Sequence, residues 1–469
     1  MDQLQALDTM FLGLEDENVH ANIGGVSVLD GPPPSIAELR AQAAGMLGYV
    51  PRYRQRLQPM PRGLGRPLWV DDEQFDLTEH LYETDLGSEV NDEQLRDHFA
   101  ASMATHLDRE KPLWKIQIVR NLPEDRWAIL WTVHHAMVDG IAATDLMPLL
   151  LSFDPNATTP AEPQNWEPAG PAPLKAAAKA LGGPAGPLKP LRDIGRGLAR
   201  PKQAAGAIGR AARGLLPVGR SLVMPKGSPL NGPIGPDRIW QTTQLDLARI
   251  KLVGTLYGAT VNDVVLAAVT EGLREHLAEM KVETKGYRPR TMVPVSVRSE
   301  DERGVADNRV SAVFVDLPVD IEDPEERLGD VRRQMERIKE RGGESTAKLL
   351  GEAAGWLPDS VFMAGERTVL RLADFSRLFN TITTNVPGPQ MPLYCLGRRM
   401  RTLRPFVMLS KDQRITTAVL SYDGGVYFGV TGDKESVPDL SAFCRGVDRA
   451  LDELLASRTA GGRHLRLVA

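Results

Sequence analysis

The segment Trp131-Thr132-Val133-His134-His135-Ala136-Met137-Val138-Asp139-Gly140 sets two adjacent histidines between an apolar run and an Asp-Gly pair, in a chain with only eight histidines. An imidazole in mostly apolar surroundings stays neutral near pH 7 and can take a proton from a hydroxyl. One ring therefore suits a general base and its neighbour a support. Asp139 is placed to fix the local backbone or to pair with a distant arginine, and Gly140 supplies backbone freedom. The plainer alternative, for either histidine taken alone, is a satisfied core residue at a strand end. A metal site fits poorly. His134, His135 and Asp139 offer three ligands, but neighbours on an extended chain point to opposite faces, and no second His or Cys cluster completes a set.

Such a motif needs elements to hold it. Residues 127–133 read as a buried strand and 141–151 as a helix, so the histidines occupy a strand-to-helix connection, a common position for active sites. Around them, residues 1–155 alternate strand-like runs (24–29, 127–133) with helical ones (36–48, 92–107), giving a mixed α/β unit. Residues 156–236 are crowded with Pro, Gly and Ala and read as a long crossover linker. From 237 to 469 a second α/β unit is expected. It has a strong helix at 261–277, strands at 290–297, 310–317 and 380–386, a hairpin of 415–422 with 426–430 turned at Asp423-Gly424-Gly425, and a closing helix at about 439–457.

Composition bounds the function. At 469 residues the chain exceeds what one core usually serves, which agrees with two domains. With 56 basic against 61 acidic side chains, neither nucleic-acid binding nor a broadly acidic partner surface is indicated. Cys395 and Cys444 lack zinc or redox spacing, so a reducing cytoplasm is expected. The first twenty residues lack a basic start followed by an apolar core, so no secretory signal is expected. No run reaches the eighteen or so apolar residues of a membrane span, and any membrane contact is expected to be peripheral. The linker is the candidate for it. Residues 175–226 carry eleven Lys or Arg and one acid, Asp193. Arg192, Arg196, Arg200, Arg210 and Arg213 interleave there with leucines and isoleucines, a pattern that fits either a basic amphipathic helix on anionic lipid or a solvated linker.

The histidine motif does not stand alone. Besides HHAMVDG at 134–140, the chain carries LDTMFLGLED at 7–16, Pro112-Leu113-Trp114, SPLNGPIGPDR at 228–238 and Asn262-Asp263. Further along come VPVSVR at 293–298, Asn308, FVDLPV at 314–319, TNVPGP at 384–389 and SYDGGVYFG at 421–429. In this ordered set the chain resembles the bacterial wax ester synthase/diacylglycerol acyltransferases over nearly its full length. The resemblance implies two chloramphenicol-acetyltransferase-like α/β domains joined by a crossover, with an active-site tunnel at their interface. It further implies an acyl-CoA-dependent O-acyltransferase in which His135 deprotonates an acceptor hydroxyl that attacks the thioester directly. His134 then supports the geometry, and Asp139 and Gly140 are structural. The implied substrates are long-chain acyl-CoA and a lipid alcohol, diacylglycerol first and a fatty alcohol as the close alternative. Acyl-CoA is a substrate, and no resident cofactor or metal is expected. The enzyme is expected in the cytoplasm, peripheral on the inner membrane or on lipid droplets through 175–226.

For the oxyanion the chain offers Asn262 at a helix start, and Thr384 and Asn385 before a Pro-Gly turn. Asn262 serves equally as a helix N-cap, and Asp263 as a partner of the helix dipole. Pro112, Leu113, Trp114 and the TNVPGP segment are expected to shape the domains and tunnel. Rival chemistries are weaker. His134 to Asp139 matches the His-x-x-x-x-Asp spacing of glycerol phosphate acyltransferases, but no Glu-Gly-Thr-Arg-like segment follows. No Gly-x-Ser-x-Gly elbow announces a serine nucleophile. Condensation domains share the histidine motif but take acyl groups from carriers; no carrier domain is read in this sequence, which leaves a free-standing member as the alternative. A non-catalytic lipid-surface protein is the non-enzymatic alternative, against which the histidine motif is intact.

Overall fold

In Arg126–His134 every residue after Arg126 is buried, which marks a strand covered on both faces. Alternation then feeds two cores from one strand. Trp127, Ile129, Trp131 and Val133 join the main core of the first half, while Ala128 and Leu130 join a second cluster with Phe99 and Phe406. The computed structural model describes residues 2–60, 66–137, 147–160, 162, 228–296, 310–340 and 378–460.

Two six-stranded sheets form the framework. The first runs Tyr394–Cys395, Arg398–Phe406, Asn22–Asp30, Arg126–His134, Trp114–Leu122, Leu81–Glu83. The second runs Val310–Asp316, Arg290–Ser296, Thr381–Pro387, Ile415–Tyr422, Gly425–Asp433, Arg238–Asp246. A small third sheet joins Asp2–Gln3, Leu68–Asp71 and Gln55–Gln58. The helix Val261–Glu279 packs beside Ser441–Ala460 over the second sheet, brought close where a Cβ on Gly446 would lie 2.7 Å from the Glu271 carbonyl. That pair of helices encloses a charged cluster: Arg327 reaches the fully buried Glu271 at 2.8 Å, and Arg274 reaches it from the same helix.

Most expected elements are present. The strand expected at 24–29 spans Asn22–Asp30, and the long helix spans Val261–Glu279. The hairpin Ile415–Tyr422 with Gly425–Asp433 turns at Asp423 and Gly424, both at positive φ, as the Asp-Gly signal requires. Two differences matter. The helix expected over 141–151 is not regular at its described end, where Met147–Leu149 forms one 3-10 turn, because Pro148 has no N–H to continue a helix. The second is an unexpected strand, Arg398–Phe406, which leaves the second half to pair antiparallel with Asn22–Asp30 of the first. Its sequence, RRMRTLRPF, hides the strand under charge. Met400 and Leu403 enter the first core, while Arg399, Arg401 and Arg404 pair outside with Asp423, Asp30 and Asp92. The first sheet thus needs residues from beyond 237 to be complete.

Among the described residues, no single helix is long and apolar enough to cross a membrane. The basic segment 175–226 lies outside the described residues.

Candidate active site

The strand Arg126–His134 ends at the first histidine, and a 3-10 turn, His135–Met137, begins at the second. This change of backbone separates rings that a continuing strand would send to opposite faces. Two backbone bonds fix the junction: the His134 N–H donates to the Leu113 carbonyl (2.9 Å) and the His135 N–H to the Ala21 carbonyl (2.7 Å). Pro112, Leu113 and Trp114 are therefore a brace directly under the motif. Trp114 is itself anchored by its indole N–H on the Tyr53 carbonyl at 2.8 Å.

His134 is buried, with one ring nitrogen hydrogen-bonded and the other without a hydrogen-bond partner but facing a carboxylate. Its Nδ1 accepts the Ala136 N–H at 3.0 Å, so the proton sits on Nε2, which faces Glu15 Oε1 at 3.3 Å. The contact is long for a hydrogen bond and is best described as an ion-dipole pairing. Glu15 ends the helix Ala6–Leu14 and is itself nearly sealed, its side chain 5 % exposed. Around it gather the Ala21 N–H on Oε1 (3.0 Å), Arg109 on Oε2 (2.6 Å) and His106 Nδ1 (3.3 Å). Burial alone would push the Glu15 carboxyl up; His134, Arg109 and the Ala21 N–H together hold it far below the usual carboxylate range.

His135 is differently placed. Phe11, from the same helix that ends in Glu15, stacks on its ring with centroids 3.7 Å apart and planes 13° from parallel. Phe11 packs in turn against Val19, Ala21, Ile234, Met408 and Leu409, so the ring lies where the two halves of the chain meet. The Nδ1 edge is buried without a hydrogen-bond partner. Desolvation by burial, with a smaller contribution from neighbouring His134, pushes the ring down to about 4. At neutral pH it is an uncharged imidazole able to accept a proton.

The depressed ring has a consequence for stability. His20, buried beside His106, is likewise pushed down to about 4, first by burial and then by the charges of His106 and Arg238. In the unfolded chain both rings titrate near 6.5. Between these values the unfolded state binds more protons, so the stabilisation is fully present above about 6.5 and is lost as pH falls toward 4. Glu15, whose folded carboxyl is depressed, adds a further loss below its ordinary value of 4.5. Thermal unfolding followed by circular dichroism should show Tm level above pH 7 and falling steadily from pH 6.5 to 4. A Tm unchanged across that window would contradict the assigned burial of these rings.

The other expected residues form a second group. The N-cap of Val261–Glu279 is Thr260, not Asn262: Thr260 Oγ1 accepts the Asp263 N–H at 3.2 Å and Asp263 Oδ2 accepts the Thr260 N–H at 2.8 Å. This capping box uses Asp263 structurally. Asn262, released from capping, accepts the Asn385 side-chain amide at 3.0 Å, so two of the three candidate oxyanion donors meet. Thr384 precedes Asn385 in the strand Thr381–Pro387 and so faces the opposite side of the sheet. A cleft of about 690 Å³ opens beside Asn262, lined also by Thr260, Asp263, Arg332, Met335 and Lys339. Among the described residues, no hydrogen bond links the Asn262–Asn385 pair to His135. Asp139 and Gly140 lie outside the described residues. Among the described residues no cluster of His, Cys, Asp or Glu is arranged to hold a metal ion. Glu15 and Phe11 both sit in the LDTMFLGLED segment, where an acid in a predominantly apolar helix is the signal that could have marked them.

A histidine at the junction of two sheet-based halves, held by a turn that follows a buried strand, fits the two-domain, chloramphenicol-acetyltransferase-like fold class. Residues 4–265 match the wax ester synthase/diacylglycerol acyltransferase catalytic domain and residues 306–455 the corresponding C-terminal domain. A probable diacylglycerol O-acyltransferase of Mycobacterium tuberculosis is 35% identical over 97% of this chain and 96% of its own. A second, putative diacylglycerol O-acyltransferase of that species is 31% identical, covering 97% of this chain and 90% of its own. Among solved structures, the wax ester synthase/diacylglycerol acyltransferase from Marinobacter aquaeolei VT8 superposes with a TM-score of 0.70 at 24% identity, covering 98% of this chain and all of its own. The first condensation domain of the calcium-dependent antibiotic synthetase shares the fold at a TM-score of 0.59 and 16% identity, over 97% of this chain and 96% of its own. The chain belongs to the wax ester synthase/diacylglycerol acyltransferase family, and it is an O-acyltransferase.

Proposed function

We propose that this protein transfers the acyl group of a long-chain acyl-CoA to the free hydroxyl of diacylglycerol, yielding triacylglycerol and coenzyme A, with His135 as general base. The observation that carries the reading is the uncharged His135 ring at the junction of the halves, taken with relatives whose names specify diacylglycerol as acceptor. As the hydroxyl oxygen approaches the thioester carbonyl, the His135 ring takes its proton. The new C–O bond forms, the C–S bond breaks as the tetrahedral intermediate collapses, and the proton passes from His135 to the departing thiolate. A ring pushed down to about 4 is a weak base in the resting enzyme. The transfer is therefore expected to run together with attack, when the alcohol becomes far more acidic. Holding alcohol and thioester beside one base supplies proximity as well as activation. Asn262, Thr384 and Asn385 remain the side-chain candidates for stabilising the oxyanion, Asn262 and Asn385 as a linked pair.

The enzyme is further proposed to work from the cytoplasm at a lipid surface, where diacylglycerol resides, with the basic 175–226 segment as its contact. One assay addresses acceptor and surface together. Long-chain acyl-CoA is supplied with diacylglycerol or with a fatty alcohol in vesicles of neutral or anionic lipid, and products are read by mass spectrometry. Triacylglycerol is expected to dominate, formed faster on anionic vesicles at low salt, with that advantage lost as salt rises. Predominant wax ester would replace the proposed acceptor. Absence of both esters from folded protein would remove the reading.

A further inference from the structure

Glu15 has no assigned part in the reaction, yet its carboxylate has four close partners. Its two oxygens receive the Ala21 N–H, Arg109 and the Nε2 edge of His134, with His106 at the same distance as His134. The Ala21 N–H and Arg109 donate to it and the Nε2–H of His134 faces it, a set that suits a carboxylate. His134 in turn has one proton to place. Facing Glu15, the proton belongs on Nε2, and the bare Nδ1 is then free to accept the Ala136 N–H. That bond closes the turn His135–Met137 on which His135 sits. The same helix end carries Phe11, which fixes the plane of the His135 ring.

We propose that Glu15 is a positioning residue for the transferase reaction: through its contact it holds His134 in the Nε2–H tautomer, and so holds the turn that presents His135. With the other tautomer, an Nδ1–H would face the Ala136 N–H, two donors would oppose one another and the turn would open. Arg109 and the Ala21 N–H keep the carboxylate in place and charged. The pair differs from a Ser-His-Asp relay because the acid acts on a histidine that does not itself take the substrate proton.

The inference rests on His135 being the base, and its test has a readout independent of turnover. Protein labelled with ¹⁵N at histidine is compared as wild type, Glu15→Gln and Glu15→Asp, with His134→Gln used to assign the His134 ring. In wild type the His134 ring should show a protonated Nε2 and a bare, hydrogen-bonded Nδ1. In Glu15→Gln, whose amide sets a donor against a donor somewhere in the site, that signature should give way to mixed tautomers. At the same time kcat should fall about 100-fold with KM changed less than threefold, while Glu15→Asp restores part of both the signature and the rate. An Nδ1–H or doubly protonated His134 ring in wild type overturns the proposal without recourse to any variant. So does an unchanged ring signature in Glu15→Gln, whatever happens to its rate, and so does a changed signature with full kcat. Wild-type protein that makes no ester would remove the transferase reading instead, and the ring spectra would still decide the Glu15–His134 link.

Discussion

His135→Ala is expected to lower kcat by about 10³-fold, with a bracket of 10²–10⁴ set by what positioned bases contribute. The loss follows from chemistry rather than from the fold. An alcohol is a poor nucleophile while it keeps its proton, and among the described residues His135 is the histidine that stacks on Phe11. The change also separates the two histidines. Removing His135 deletes a ring whose Nδ1 makes no hydrogen bond, so the variant should keep its Tm within a few degrees and gain some resistance to acid. His134→Ala deletes a partner of the buried Glu15 and the acceptor of the Ala136 N–H, so it should lose stability together with activity. Steady-state rates with saturating acyl-CoA and diacylglycerol, beside thermal melts of both variants, test this. His135→Ala retaining a tenth of wild-type kcat would remove it as the base.

The second large effect lies away from the chemistry, at Gly429. This residue is in the strand Gly425–Asp433 of the second sheet, and a Cβ built there would lie 1.7 Å from the Pro405 carbonyl oxygen and 2.9 Å from the Trp240 ring nitrogen. Pro405 belongs to the strand that crosses into the first sheet, opposite Gly25, and its carbonyl accepts the Trp240 indole N–H at 3.2 Å. Three backbones are thus stacked at contact distance where the two sheets meet, since a Cβ on Gly25 would itself lie 2.5 Å from the Arg404 carbonyl. No rotamer change relieves a clash with backbone; one sheet must move off the other. Gly429→Ala should therefore cost about 4 kcal/mol, beyond ordinary overpacking, and lower Tm by roughly 10 °C. Gly425→Ala makes the comparison, because the atoms nearest its Cβ are the far end of the Tyr427 side chain rather than backbone. Equal melting temperatures for the two variants would show that the sheets are not held as tightly as described.

The contrast between these positions also marks what could be read in advance. The strand ending at His134 was legible because Trp127 to Val133 is an apolar run of strand length, and the hairpin because Asp-Gly-Gly sits between two β-rich segments. Local signals of this kind act through the backbone within a few residues. The strand Arg398–Phe406 was hidden because its arginines answer to Asp30 and Asp92, hundreds of residues away in sequence, and without those partners the segment reads as a charged loop. Asn262 was taken for a possible cap because it stands at a helix start. Which of several polar residues caps depends on one dihedral, and Thr260 took the position.

The amino-acid sequence by itself determined the chemistry available to this protein: an intact pair of histidines after a buried strand, no serine elbow, and an ordered set of segments shared with one acyltransferase family. Tertiary structure decided how the pair is divided. His134 turns inward to a carboxylate 119 residues earlier, and His135 lies flat against Phe11 where the halves join. A histidine's role depends on which nitrogen carries the proton and on how much water reaches the ring. Both are set by neighbours brought together through folding, which no local stretch of sequence contains.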